Sequence, residues 1–311
     1  MTLPSPDNPL RIGTRGSILA LAQAHETRER LATHHDLPDL AFEIVVIKTT
    51  GDQVLDRALS EIGGKGLFTK EIEEALLAEK IDLAVHSMKD MPTILPDGLE
   101  ISTLLPREDV RDAFVSPSYA SIAELPQGAT VGSSSLRRRA QLLHRRPDLN
   151  VVEFRGNVQT RLKKLEDGVA AATFLACAGL RRLDLGHIIR DEIAPGEMLP
   201  ACAQGAIGIE IRSSDAATRA LLAPIHDVAT AQRLDAERAF LAALDGSCRT
   251  PIGGLAELEG NELWFRGEII RPDGSERLAT ERRGAIVDAA QMGHDAAEEL
   301  RAQAGTGFFD Q

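Results

Sequence analysis

Cysteine is scarce in this chain of 311 residues, which contains three: Cys177, Cys202 and Cys248. Three scattered cysteines cannot build the disulfide framework of a small secreted protein, and their spacing is not that of a structural metal site. We therefore expect a protein that works in the reducing cytoplasm and holds no metal ion.

Aromatic side chains and long apolar runs are also scarce. Aromatic residues make up 4% of the chain, and the formal net charge is −12. Proteins that bind nucleic acid normally combine a basic surface with aromatic side chains that stack on bases, so we expect no nucleic-acid partner. No apolar run approaches the ~20 residues that span a bilayer. The first residues lack the basic and apolar segments of a signal peptide, so we expect no membrane partner either.

Positive charge, by contrast, is concentrated in one segment. Between residues 137 and 182 there are eleven Lys and Arg and four Asp and Glu, so this segment carries +7 and the rest of the chain −19. Its three basic groups follow three predicted strands, at 129–131, at 151–154 and just before Arg181. The groups are either ordinary solvated helix faces or a pocket for a ligand rich in carboxylates or phosphates. Neighbouring parallel strands end at one edge of a sheet, which favours the pocket.

The first basic group begins a predicted helix. Three serines at 133–135 stand where helix N-caps are expected, and apolar residues recur at helical spacing from Leu136 onward. We expect this apolar face to be buried and Arg137 and Arg138 to be displaced toward solvent. The unpaired backbone N–H groups of a helix N-terminus attract anions, and both arginines lie in the same turn. The segment is therefore predicted to bind anionic groups.

A second candidate site follows a predicted strand at 82–85. The strand runs directly into the polar sequence His86-Ser-Met-Lys-Asp90, and α/β proteins place their chemistry just after the carboxyl ends of strands. The alternative is a loop with an internal Lys–Asp pair. We expect His86 to be packed and hydrogen-bonded rather than catalytic. The glycine-rich loop 63–68 is either a mobile lid or a wide turn. It is not a phosphate-binding P-loop, because Gly66 replaces the required Ser or Thr.

The order of predicted elements indicates an α/β protein with three domains. Domain 1 is expected to comprise residues 1–105 and 201–223, and domain 2 residues 106–200. Domain 3, residues 224–311, is expected to be a small α+β domain with a three-stranded antiparallel sheet. Its loop around Cys248 contains Arg249, which favours the thiolate. The thiol is either incidental or an attachment point for a covalently held group.

Taken together, these segments resemble the hydroxymethylbilane synthase (porphobilinogen deaminase) family. The matching runs keep the family's order and cover nearly the whole chain. They are residues 11–17, 63–68, 84–90, 107–114, 132–141, 155–157 and 199–210, and the loop around Cys248. The chain departs from the family's common pattern at Ser247 and at Ala203, where glycine is usual, and at Ser133, where threonine is frequent.

The resemblance implies two periplasmic-binding-protein-like α/β domains joined by a double crossover, followed by a C-terminal α+β domain. It implies a monomeric transferase of porphyrin and heme biosynthesis. The family joins four porphobilinogen units head to tail with release of ammonia, and water then frees the linear tetrapyrrole hydroxymethylbilane. Its primer is a dipyrromethane cofactor, held by a thioether at the position that Cys248 matches.

The resemblance also implies roles for individual residues, because every pyrrole ring carries an acetate and a propionate and a growing chain therefore requires many fixed cations. Asp90 and Lys89 would be catalytic and would also contact the cofactor. The other cofactor-binding residues would be Ser87, Ser133, Ser135, Arg137, Arg138 and Arg155. The substrate-binding residues would be Arg15, Ser17, Phe68, Arg155, Arg161, Arg182 and Gln204. The alternatives are a non-catalytic two-lobed anion-binding protein and, less favoured by charge, an arginine-rich nucleic-acid module.

Overall fold

A computed structural model describes residues 3–53, 69–246, 250–305 and 307–309. Phe68, the loop 63–68 and Cys248 lie outside the described residues. The chain divides into two compact units. Of the described residues, those up to 108 and 206–231 form unit 1, and those at 109–205 and from 232 onward form unit 2. The boundaries of the three expected domains stay a prediction.

The described residues form the following strands and helices. The strands are β1 Leu10–Arg15, β2 Phe42–Ile47, β3 Leu83–Ser87, β4 Leu99–Leu104, β5 Asp112–Val115, β6 Thr130–Gly132, β7 Asn150–Val152, β8 Ala172–Ala176, β9 Asp191–Ile193, β10 Ile207–Arg212, β11 Ile252–Glu259, β12 Glu262–Ile270 and β13 Arg277–Ala285. The helices are α1 Ile18–His35, α2 Thr50–Gln53, α3 Lys70–Leu77, α4 Leu136–Arg145, α5 Val158–Glu166, α6 Cys177–Arg182, α7 Ala216–Leu222, α8 Val228–Ala243 and α9 Ala289–Ala304. None of these helices is long and apolar enough to cross a membrane.

Unit 1 is built on a five-stranded sheet with the strand order β2-β1-β3-β10-β4. β1 runs parallel to β2 and β3, whereas β10 is antiparallel to β3 and β4. The isoleucine-rich strand β10 comes from a later part of the chain and lies between β3 and β4 in this sheet. α1 contributes Ala24 and Leu31 to the core of this unit, and both are fully buried. Because β1 and β3 are parallel neighbours, the residues that end them lie at one edge of the sheet.

Unit 2 contains a second five-stranded sheet, with the strand order β7-β6-β8-β5-β9. β6 lies between β7 and β8 and is parallel to both, while β5 is antiparallel to β8 and β9. The three strands that precede the basic groups are therefore adjacent in one sheet, as predicted. Gly132 ends β6 against the ring of Phe154. A Cβ atom at Gly132 would lie 2.3 Å from the Cγ atom of Phe154, so a side chain cannot be accommodated there.

The C-terminal part of unit 2 is the antiparallel sheet β11-β12-β13. This sheet shares one hydrophobic core with α8 and α9, in which the rings of Phe240 and Phe265 lie 5.0 Å apart. The two helices approach closely at Gly293, where a Cβ atom would lie 2.1 Å from the backbone oxygen of Ala236. The predicted fold class, two α/β sheets followed by a small antiparallel sheet with helices, is confirmed by these three sheets.

One expectation for α4 is wrong. Arg137 and Arg138 are not displaced toward solvent, since they are only 5% and 6% exposed. The spacing of the apolar residues assigned both arginines to the polar face of the helix. That assignment agreed with the general rule that arginine is almost never fully buried unless it is paired. Here the paired residue is Asp112, the first residue of β5, whose side chain is fully buried. The arginine of this turn that does face solvent is Arg139.

Candidate functional site

Four of the predicted site residues line one small cavity in unit 1, with a volume of about 60 Å³. Arg15 ends β1 and Ser87 ends β3, so both lie at the same edge of the sheet. Ser17 is the N-cap of α1, and its hydroxyl oxygen accepts a hydrogen bond from the backbone N–H of Ala20 at 3.2 Å. Asp90 closes the 3₁₀ turn that follows β3. The cavity therefore combines a guanidinium group, a carboxylate and two hydroxyl groups.

Gln23 is a residue of this cavity that the sequence analysis missed. It lies on α1, is 4% exposed, and donates from Nε2 to the hydroxyl oxygen of Ser87 at 2.8 Å. The signal for it was a polar side chain among the small and apolar residues that α1 buries. Lys89, which was predicted to be catalytic, lies half-buried in the turn between Ser87 and Asp90 and does not line this cavity.

Three buried titratable side chains lie close together in unit 1. His86 Nε2 lies 3.0 Å from Oε2 of Glu210, and the two residues are 5% and 0% exposed. The prediction that His86 is packed and hydrogen-bonded is confirmed. Glu73, on α3, is 8% exposed, and burial together with the negative charge of Glu210 raises its pKa. One carboxylate oxygen of each glutamate is buried without a hydrogen-bond partner. The pair therefore favours a bound proton at Glu73.

We expect Glu73→Gln to stabilise the protein in a pH-dependent way. The folded-state pKa of Glu73 is raised, so its contribution to stability is present below the unfolded-state pKa and is lost as the pH rises through the folded-state pKa. The neutral amide avoids this loss, and the free energy of unfolding should rise by about 1 kcal/mol at pH 8 and stay unchanged at pH 4. Urea unfolding at both pH values measures it. Glu74→Gln, at an exposed position of the same helix, is the control. A gain of equal size at both pH values would contradict the prediction.

In unit 2, the serines before α4 bind the chain's own backbone. Ser135 is the N-cap, and its hydroxyl oxygen accepts a hydrogen bond from the backbone N–H of Arg138 at 3.4 Å. Ser133 is 7% exposed, and its hydroxyl oxygen accepts from the backbone N–H of Ser135 at 3.3 Å. The predicted capping serines thus fix the start of α4 at the end of β6.

Arg137 and Arg138 contact the carboxylate of Asp112 and two backbone oxygens of unit 2. Arg138 donates from Nε and Nη2 to Oδ1 of Asp112, at 3.1 and 2.7 Å, and from Nη1 to the backbone oxygen of Phe174 at 2.9 Å. Arg137 Nη1 lies 2.7 Å from Oδ2 of Asp112 and 2.7 Å from the backbone oxygen of Leu199. Burial alone would raise the pKa of Asp112, but the two guanidinium groups outweigh it and hold this pKa well below its usual range. Asp112 is therefore an anion in the fold.

Arg155 and Arg161 extend this group of positive charges. Burial, followed by the positive charges of Arg138 and Arg155, lowers the pKa of Arg161 to about 10, and Glu153 opposes the change. Arg161 Nε donates to the backbone oxygen of Gly156 at 3.0 Å. We call Arg137, Arg138, Arg155 and Arg161 the arginine cluster. Mutual repulsion and burial both disfavour its charges, so a bound anion would stabilise the cluster.

Arg182 and Gln204 are distant in sequence, but Arg182 contacts Gly205, the residue that follows Gln204. Arg182, the last residue of α6, donates from Nη1 and Nη2 to the backbone oxygen of Gly205, at 3.2 Å each. Gln204 is 1% exposed and donates from Nε2 to the backbone oxygen of Val110 at 2.7 Å and to Oδ1 of Asp112 at 3.0 Å. Gln204 thus donates to the same carboxylate that pairs with Arg137 and Arg138.

The arginine cluster fits the chemistry of a dipyrromethane. Such a group carries acetate and propionate side chains, and buried guanidinium groups are the donors that proteins use for carboxylates. Burial acts with the positive charges of Arg138 and Arg155 to lower the pKa of Arg161, and carboxylates of a ligand would oppose this effect.

Buried and half-buried arginines that follow adjacent parallel strands are typical of an anion-binding α/β protein. Residues 10–220 match the family model described as "Porphobilinogen deaminase, dipyromethane cofactor binding domain". Residues 231–302 match the model described as "Porphobilinogen deaminase, C-terminal domain". The porphobilinogen deaminase of Paracoccus denitrificans (strain Pd 1222) is 70% identical over 308 residues, which are 99% of this chain and 98% of that protein. The chain belongs to the porphobilinogen deaminase family.

Solved structures of periplasmic binding proteins are similar at low identity. The methionine-binding protein MetQ is 14% identical with a TM-score of 0.43, covering 71% of this chain and 90% of that one. The aliphatic sulphonate-binding protein SsuA from Escherichia coli is 16% identical with a TM-score of 0.40, covering 76% of this chain and 70% of that one.

Proposed function

We propose that this chain joins porphobilinogen units into hydroxymethylbilane on a dipyrromethane held at Cys248, with Asp90 at the reacting ring and the arginine cluster on the carboxylates. The observation that supports it most is the arginine cluster, in which two buried and two half-buried guanidinium groups favour a polyanionic ligand. The function itself follows from the family, whose members are transferases of porphyrin biosynthesis.

The arginine cluster and the serines around it would hold the acetate and propionate groups. Arg155 and Arg161 add two positive charges beside Arg138, and Arg182 and Gln204 extend the cluster toward Gly205. When bound, the dipyrromethane supplies a free ring position to which the first substrate is joined. Ser133 and Ser135 would add hydroxyl donors, and each charge-assisted contact would contribute about 1.5–3 kcal/mol.

Asp90 and its neighbours would act on the incoming substrate in unit 1. As the bond between the aminomethyl carbon and nitrogen breaks, ammonia leaves with the electron pair and the pyrrole ring becomes cationic. A carboxylate that accepts hydrogen bonds from the ring N–H stabilises this positive charge and can hold the proton that is released later. Arg15, Ser17 and Ser87, which share the cavity with Asp90, would hold the substrate's own carboxylates, with Lys89 as a further cation.

Arg155→Leu tests the ligand-binding part of this proposal. The variant removes one positive charge of the arginine cluster, so we expect ammonia release and tetrapyrrole formation from porphobilinogen to fall at least ~10-fold, which corresponds to the loss of one charge-assisted contact. The measurement is the rate of both products at several porphobilinogen concentrations. Arg139→Leu is the matched control, since Arg139 faces solvent on α4 and should turn over at the rate of the unchanged protein. Equal rates in both variants would contradict a role for Arg155.

We also propose that the protein works as a monomer in the cytoplasm. The low cysteine content favours a reducing compartment. Size-exclusion chromatography with light scattering tests the monomer, for which a mass near 33.6 kDa is expected.

A further inference from the structure

Asp112 carries a fully buried carboxylate at the start of β5 in unit 2. Its two oxygens contact three side chains: Arg137 at 2.7 Å, Arg138 at 2.7 and 3.1 Å, and Gln204 at 3.0 Å. These contacts join β5 to the first turn of α4 and to residue 204, just before the chain returns to unit 1 at residue 206. No part of the function proposed above gives Asp112 a role in binding.

Arg137 and Arg138 place two guanidinium groups against the single carboxylate of Asp112. The side of Arg138 that presents Nε and Nη2, which pairs with carboxylates through two parallel hydrogen bonds, already faces Asp112. The backbone oxygens of Phe174 and Leu199 take further donors. These contacts fix the orientation of both guanidinium groups. A ligand carboxylate would therefore bind to the N–H groups that these contacts leave.

We propose that Asp112 is a positioning residue: it holds Arg137 and Arg138 in the conformation that receives the carboxylates of the dipyrromethane before that group arrives. Without Asp112, two adjacent buried guanidinium groups would repel each other and seek solvent. Preorganised donors bind more tightly because their rotamers are fixed before binding. This inference rests on the proposed function, since it names a residue that prepares the same site.

The test is the rate at which the cofactor-free protein acquires its primer from porphobilinogen, followed by intact mass as the gain of a two-ring adduct. We expect Asp112→Asn to fold and to acquire the adduct at least ten times more slowly than the unchanged protein. Asp112→Glu keeps the charge but moves it by one methylene group, and should load at an intermediate rate. Asp109→Asn is the matched control, because Asp109 also contacts two arginines of unit 2, Arg111 and Arg181, which lie outside the arginine cluster.

A second readout separates positioning from a purely structural role. Both Asp112→Asn and Asp109→Asn should lower the melting temperature, whereas only Asp112→Asn should slow adduct formation. If both variants at position 112 load at the unchanged rate, the inference is wrong. If Asp112→Asn does not fold, Asp112→Glu decides alone, and unchanged loading by it overturns the inference. If the unchanged protein itself gains no adduct, the proposed function fails, which is a distinguishable result.

Discussion

Replacing Asp90 by alanine should leave a folded protein that binds porphobilinogen but hardly condenses it. A carboxylate that stabilises a developing cation and holds a proton contributes on the order of 10²–10⁴ to a rate, so kcat should fall by at least ~100-fold. The KM for porphobilinogen should change little, because Arg15, Ser17 and Ser87 of the same cavity remain. Single-turnover ammonia release and the KM of the residual activity are the measurements.

The matched controls for Asp90 separate charge from fold. Asp97→Ala removes an exposed carboxylate from the same unit and should retain full activity. Asp90→Asn keeps the shape and removes the charge, so it should be nearly as impaired as Asp90→Ala. If Asp90→Ala turned over at a near-normal rate, or if the loss in it appeared only in KM, the assignment of Asp90 to the reacting ring would be wrong.

The sheet edges of both units could be predicted from the sequence because strand periodicity and turn residues are local signals. The two strands predicted at 129–131 and 151–154 were placed within two residues, and they are adjacent and parallel. The predicted strand 151–154 ends earlier, at Val152, because the backbone N–H of Phe154 donates to the Ser134 hydroxyl oxygen at 3.0 Å instead of continuing the ladder. α8 starts at Val228, where Asp227 Oδ1 accepts from the backbone N–H of Thr230 at 2.6 Å and caps the helix.

The interior of the candidate site could not be predicted in the same way. Asp112 lies 26 positions before Arg138 in the sequence, and no local pattern shows that the two side chains meet. Their pairing depends on β5 and β6 lying on either side of β8 in one sheet, which is a property of the whole unit. For the same reason the sequence placed the two arginines in solvent, where an unpaired arginine belongs. Long-range charge pairs decide the burial of such residues.

The proposed attachment of the primer at Cys248 leads to the largest expected effect. Cys248→Ala should abolish the two-ring mass increment that the unchanged protein gains from porphobilinogen. A tethered primer acts at a high effective concentration, and the loss of such a tether costs on the order of 10²–10⁴ in effective binding, so tetrapyrrole formation should fall by a similar factor. Intact mass of the protein before and after incubation with porphobilinogen, together with product formation, measures both effects.

The other two cysteines provide the controls, because both are buried in unit 2. Burial raises the pKa of the Cys177 thiol to about 12, so at pH 8 it stays protonated and is a poor nucleophile. Cys177→Ala and Cys202→Ala should therefore keep the increment, although each leaves a small cavity and should lower stability by about 1 kcal/mol. If the adduct persisted in Cys248→Ala and disappeared in either control, the thioether would have to be reassigned. If the arginine cluster holds carboxylates as proposed, it does so independently of the sulfur, and Cys248→Ala should still bind a preformed dipyrromethane reversibly.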